Sequence, residues 1–269
     1  MASTAQAISR ELQPAQVPLW REVLFGADWL ALHVSPVYYG FGVPRGDGSP
    51  VIVVPGFLGS DTYLMEMYYW LQRIGYKPYY SRIGRNADCP DVLTDRLLTT
   101  IQRTHDDTGR KAHLIGHSLG GLIARSAAIQ RPELVAQVIS LAAPFREIRV
   151  HPMILAAAGF VRERIRNRSE QPRNVKRDEC YTGSCTCNFA SALRDSSLAP
   201  AIQRAAIYTK TDGVIDWRSC VEEEPELNTE VRSTHSGMAF NPQVYRKVAI
   251  LLASARKPRM KSARSRRAR

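Results

Sequence analysis

Along this chain the apolar positions follow two different spacings. Short unbroken runs, Val51-Ile52-Val53-Val54, Leu114-Ile115 and residues 138–141, alternate with stretches where apolar residues recur every three or four positions. Leu64, Met67, Tyr68 and Leu71 form one such stretch, and Leu93, Leu97 and Ile101 another. A short run rich in β-branched residues reads as a strand buried on both faces, and the three-to-four spacing reads as a helix with one apolar side. Gly75 closes the first helix. The second starts near Asp91, after Asp88-Cys89-Pro90, and ends near Gly109. Residues 76–80 supply a strand between them. Regular alternation of strand and helix predicts an α/β protein with a mostly parallel sheet, right-handed crossovers and helices on both faces.

The pattern changes toward the ends and once in the middle. Residues 1–16 are polar. Residues 17–32 fit a helix with Leu19, Val23, Leu24, Ala27 and Leu30 on one side, and an aromatic, glycine-rich stretch and a Pro/Gly turn cluster follow as far as residue 50. From residue 145 to residue 200 the alternation stops. Residues 153–161 are apolar all round but too short to span a bilayer. This predicts a cap inserted over about residues 146–200. The alternation resumes at Ala205-Ala206-Ile207-Tyr208, passes an acidic surface turn at 222–226 and a last strand at 229–231, and ends in a helix carrying Val244, Val248, Leu251 and Leu252. The expected organisation is a segment 1–50 packing on the core, a main domain 51–252 containing the cap, and a basic tail 253–269.

Charge sharpens this division. The formal net charge is +12. Residues 256–269 hold eight Lys or Arg and no acid, and residues 162–177 hold seven basic against two acidic residues. The rest is close to neutral, so the excess belongs to two segments and not to the body. A basic tail without stacking aromatics fits weak contact with anionic lipid or nucleic acid rather than sequence-specific recognition. The first twenty residues lack an apolar signal core, and Arg21, Glu22 and Asp28 interrupt the apolar segment 19–34. The expectation is a cytoplasmic protein without a transmembrane segment, with peripheral membrane association still open. Cys180, Cys185 and Cys187 lack the paired spacing and nearby histidine of a zinc site, so reduced thiols or a local disulfide are expected and no metal or organic cofactor.

The chemistry concentrates at Gly116-His117-Ser118-Leu119-Gly120, where a strand turns sharply into a helix. A serine hydroxyl is a weak nucleophile and must be presented to a base. Glycines on either side let strand and helix pack closely, and the amide of Leu119 then points from a helix N-terminus toward developing negative charge. The loop after Val54, Pro55-Gly56-Phe57-Leu58-Gly59, is the natural place for a second amide donor. Of six histidines, His117, His113 and His105 lie inside or before the elbow, and His33 and His151 lie outside any loop following a sheet strand. His235 alone follows a late strand and lies downstream of an acid that also follows a strand. For the acid Asp212 and Asp216 compete, and the turn permitted by Gly213 favours Asp212.

The blocks Val53-Val54-Pro55-Gly56-Phe57-Leu58-Gly59, Gly116-His117-Ser118-Leu119-Gly120-Gly121, Thr211-Asp212-Gly213-Val214-Ile215 and Thr234-His235-Ser236-Gly237 resemble the signature blocks of bacterial lipases and esterases of the α/β-hydrolase superfamily. The resemblance spans about residues 50–252. It implies Ser118 as nucleophile, His235 as base, Asp212 as acid, and the amides of Phe57 and Leu119 as an oxyanion hole. Many lipases carry His-Gly where this chain has Pro55-Gly56, and here that histidine's side-chain hydrogen bonds are lost. The implied function is a serine carboxylic ester hydrolase acting through an acyl-enzyme on a small or lipid-like ester. A thioesterase or acyltransferase would use the same triad, and a non-catalytic protein docked by its tail is the reading from another class.

Overall fold

A computed structural model describes residues 13–167 and 185–255. Most of the tail 253–269, residues 1–12 of the N-terminal segment, Cys180 and much of the basic stretch 162–177 lie outside those residues. Six parallel strands form the central sheet: β1 (Pro50–Val54), β2 (Lys77–Tyr80), β3 (Ala112–His117), β4 (Val135–Leu141), β5 (Gln203–Tyr208) and β6 (Asn228–Glu230). Their order across the sheet is β2-β1-β3-β4-β5-β6. The strand that leads into Ser118, β3, is therefore central. Its Ile115 pairs with Val53 and with Ile139.

Successive side chains of a strand point to opposite faces, and β1 shows what that does to an all-apolar run. Val51 and Val53 join one core with Ile115 and Ile139, under the helices α1 (Phe25–Val34), α2 (Met65–Arg73) and α7 (Pro242–Ser254). Ile52 and Val54 join a second core with Leu114 and Val138, under α3 (Pro90–Thr108) and α4 (Leu119–Gln130). Leu93, Leu97 and Ile101 of α3 are fully buried there, as their spacing requires. Gly109 ends α3 in the left-handed region at φ 65°, where a residue without a Cβ sits without strain.

The segment between β4 and β5 contains α5 (Pro152–Arg166) and α6 (Asn188–Asp195). Its Arg149–Val150 pairs in parallel with Gln13–Pro14 of the N-terminal segment. The amide of Phe189 in α6 donates to Asp91 Oδ1 (2.8 Å), which fastens α6 to the start of α3. No helix among the described residues is long and apolar enough to cross a membrane.

Two features differ from the sequence reading. Residues 17–32 are not one helix: a 3-10 turn, Leu19–Leu24, precedes α1, and of this whole stretch only Leu32 is buried, so the expected apolar side faces outward. The acidic turn is also not wholly superficial. Glu222 is largely shielded from solvent in an ion pair with Arg125 of α4, whose guanidinium also lies 3.6 Å from the Phe145 ring centre and donates to Ser140 Oγ (3.1 Å). An arginine in the middle of an otherwise apolar helix needs such a partner, and Glu222 is drawn inward to supply it.

Truncating Leu97 to Ala removes apolar contacts from a closed core and leaves a cavity. Chemical unfolding of Leu97→Ala is expected to show a loss of about 2–5 kcal/mol.

Candidate active site

The turn at Ser118 is held by close packing. Ser118 has φ 52° and ψ −126°, a conformation costly for a residue with a side chain. A Cβ on Gly116 would lie 2.5 Å from the Gly120 carbonyl oxygen, and one on Gly120 would lie 2.4 Å from the carbonyl oxygens of Val54 and Pro55. Both positions therefore exclude any larger residue. Strand, helix and the loop after β1 come together at Ser118.

That loop is placed by a residue the sequence reading did not single out. Asn86, fully buried, donates its side-chain amide to the Pro55 carbonyl (2.9 Å). Its own backbone accepts from Leu58 N–H (2.8 Å) and donates to the Gly59 carbonyl (2.7 Å). The amides of Phe57 and Leu119 have no hydrogen-bond partner among the described residues. Leu119 is the first residue of α4, where the first-turn amides have no intrahelical acceptor and the helix dipole favours negative charge.

On the same carboxyl edge of the sheet, Asp212 and His235 meet. His235 Nδ1–H donates to Asp212 Oδ2 at 2.8 Å, and both side chains are nearly sealed from solvent. The other carboxylate oxygen accepts the amides of Val214 (2.8 Å) and Ile215 (2.7 Å), so the loop following β5 wraps its own acid. Asp216, the competitor, instead caps the 3-10 turn Trp217–Cys220 and faces Arg149 and Arg218. With Nδ1 engaged, Nε2 is the nitrogen available to a hydroxyl. Neither Nε2 nor Ser118 Oγ has a hydrogen-bond partner among the described residues.

Burial opposes a charge on His235, but the Asp212 carboxylate, by charge and hydrogen bond, and the more distant Glu22 outweigh it, and the pKa lies above the ordinary histidine value. His117 behaves oppositely. Burial, with the neighbouring His235 adding to it, pushes its pKa down to about 3, so it is neutral and donates Nε2–H to the His235 carbonyl (3.0 Å). The two rings lie 4.8 Å apart, which puts the His235 imidazole beside the residue that precedes Ser118. One histidine of the elbow thus steadies the backbone of the other.

The N-terminal segment supplies the remaining supports. Glu22 Oε1 accepts the amides of Gly213 (2.9 Å) and His235 (3.0 Å), and Oε2 accepts that of Ser236 (2.8 Å). A single carboxylate therefore clamps the acid loop to the base loop. Asp28 accepts from Ser233 Oγ (3.0 Å), Thr234 N–H (3.3 Å) and Asn241 Nδ2 (2.6 Å), and the Tyr63 hydroxyl donates to the Ser236 carbonyl (2.7 Å). The sequence holds one signal for Glu22 and Asp28: they are acids set in an otherwise apolar stretch. Elsewhere, Cys185 and Cys187 are buried with their sulfurs 3.3 Å apart. No group of three or more His, Cys, Asp or Glu among the described residues is placed to hold a metal ion.

Comparison with known proteins points the same way. A family model described as alpha/beta hydrolase fold matches residues 80–175. A triacylglycerol lipase of Burkholderia plantarii is 33% identical over 132 residues, which are 46% of this chain and 37% of the lipase. The sn-1-specific diacylglycerol lipase ABHD11 of Xenopus laevis is 24% identical over 203 residues, 70% of this chain and 57% of that protein. The chain thus spans little more than a third of the length of the Burkholderia lipase it matches. Among solved structures, a metagenomic carboxyl esterase superposes with a TM-score of 0.55 at 12% identity, covering 94% of this chain and 95% of the esterase. The mature form of a Bacillus licheniformis lipase gives 0.52 at 18% identity, covering 78% and 94%.

Glu22 contributes negative charge near the imidazole, so its neutralisation is expected to make His235 easier to deprotonate. In Glu22→Gln the His235 ring signals, followed by NMR, should titrate at lower pH than in the unsubstituted chain. An unchanged midpoint would mean that the imidazole does not sense this carboxylate.

Proposed function

We propose that this chain belongs to the α/β-hydrolase superfamily and is a serine carboxylic ester hydrolase. The observation that carries the reading is the buried Asp212–His235 hydrogen bond on the same sheet edge as the strained Ser118 turn. The lipase names among its relatives agree with it.

In this reading Ser118 Oγ attacks the ester carbonyl carbon while His235 Nε2 takes the hydroxyl proton. Asp212 holds the imidazole in the tautomer with hydrogen on Nδ1 and stabilises the imidazolium that forms. The carbonyl oxygen becomes an oxyanion facing the amides of Phe57 and Leu119, which need no reorganisation to receive it. Collapse of the tetrahedral species breaks the bond to the alkoxy oxygen, and the proton on His235 leaves with the alcohol. Water, deprotonated by the same nitrogen, then attacks the acyl-enzyme carbonyl. Loss of the Ser118 oxygen from the acyl carbon releases the acid and restores the proton to Ser118. The departure at Pro55 leaves this scheme intact, because the donor assigned at Phe57 is a backbone group. Asn86 takes over the task of fixing the loop that carries it.

Two measurements test the proposal. A fluorophosphonate probe should label the chain at Ser118, and Ser118→Ala should abolish labelling and lower hydrolysis of p-nitrophenyl esters by about 10⁴-fold or more. Absence of both labelling and hydrolysis in the unsubstituted chain would remove the enzymatic reading. The base must be neutral to act, and its pKa lies above the ordinary value near 6.5. Activity should therefore be full at alkaline pH and fall as pH drops through a midpoint above that value, as read from the pH profile of kcat/KM.

A further inference from the structure

The outward side of the N-terminal helical segment presents large apolar residues with little protein over them. Trp20, Val23, Leu30 and Val34 are 66%, 74%, 58% and 73% exposed, and Leu24, Phe25 and Trp29 are exposed beside them in sequence. Soluble monomers rarely leave a contiguous apolar surface of more than a few hundred Å² open to water. The distribution of charge on the segment is equally one-sided. Its two acids, Glu22 and Asp28, turn inward and bind groups of the acid and base loops. The outward side is left without anionic groups, and Arg21 lies beside Trp20, its guanidinium 5.9 Å from the ring centre.

A second source of positive charge follows in the chain. Leu32 of α1 shares its core with Val244, Tyr245 and Val248 of α7, so the two helices cover the same face of the sheet. Residues 256–269, which continue from α7, hold eight Lys or Arg and no acid. Apolar anchors combined with a polybasic stretch match a surface that is negative at its polar layer and apolar beneath it. A second copy of the chain would cover the apolar residues but would bring the same basic stretch and a further net charge of +12.

We propose that the outer side of Leu19–Leu24 and α1 docks this protein on an anionic lipid bilayer, with the basic chain after α7 adding electrostatic attraction. Because Glu22 binds the acid and base loops from the inner side of this segment, docking brings the catalytic edge next to the lipid. What is hydrolysed there rests on the ester-hydrolase reading; the docking itself does not.

Co-sedimentation of the full chain with vesicles tests this, using phosphatidylcholine alone or with about a third phosphatidylserine. The anionic vesicles should bind the chain and the neutral ones far less, and added salt should weaken the binding. Trp20→Ser combined with Leu30→Ser should weaken it about tenfold or more, and replacing Arg264, Arg266, Arg267 and Arg269 by Gln should weaken it separately. Circular dichroism and thermal unfolding of the Trp20/Leu30 variant should match the unsubstituted chain, as should its hydrolysis of a dissolved p-nitrophenyl ester. If no ester is cleaved by either protein, the hydrolase reading fails while vesicle binding still decides this one. The proposal is overturned if the unsubstituted chain does not bind anionic vesicles, or if the Trp20/Leu30 variant binds them equally well. It is also overturned if sedimentation velocity reveals a dimer that this variant dissociates, which would assign the face to a second copy.

Discussion

A hydrogen bond between an imidazole and a carboxylate is worth little when water can compete for both, and its value rises as water is excluded. The Asp212–His235 pair is nearly sealed, so it can hold one tautomer and favour a transient imidazolium. Exclusion of water has a cost: the backbone groups of both loops must find partners within the protein. The amides of Val214 and Ile215 close on Asp212, those of Gly213, His235 and Ser236 close on Glu22, and the His235 carbonyl receives His117. Much of the polar architecture at this edge of the sheet follows from the need to keep that one pair dry.

The parts legible in the sequence are those specified by local pattern. The continuous apolar run of β1 and the spacing of Leu93, Leu97 and Ile101 each reflect a geometry with a period, and the structure places them accordingly. The elbow is legible because Gly116 and Gly120 occupy places where a Cβ would collide with neighbouring backbone. The triad positions were read from chain order and from the sheet edge, and the structure brings Asp212 rather than Asp216 to His235.

What escaped the sequence is specified by distance. Glu22 acts on residues 191 to 214 positions away, and nothing in its local context distinguishes a clamp from a charge that merely interrupts an apolar stretch. Asn86 sits among loop residues whose composition is ordinary, yet it fixes the loop bearing Phe57. The apolar spacing of residues 17–32 reports only that one side of the segment differs from the other. It does not report which side faces the sheet, and here the two acids face inward and the hydrophobic residues outward.

The bonds from Glu22 to His235 and Ser236 join residues 213 and 214 positions apart. During synthesis the carboxylate emerges before every strand of the central sheet and these amide partners after all of them. A growing chain can order the turn at Ser118 while the loop bearing His235 is still to be translated, so the supports of the Asp212–His235 pair arrive in one late event. Loop-closure cost grows only slowly with length, so the cost of this contact lies mainly in ordering the sheet between its ends, which places it among the later steps of folding. The exposed tryptophans and leucines of the same N-terminal segment stay uncovered in the folded chain as well, which leaves them open to chaperones or to aggregation throughout.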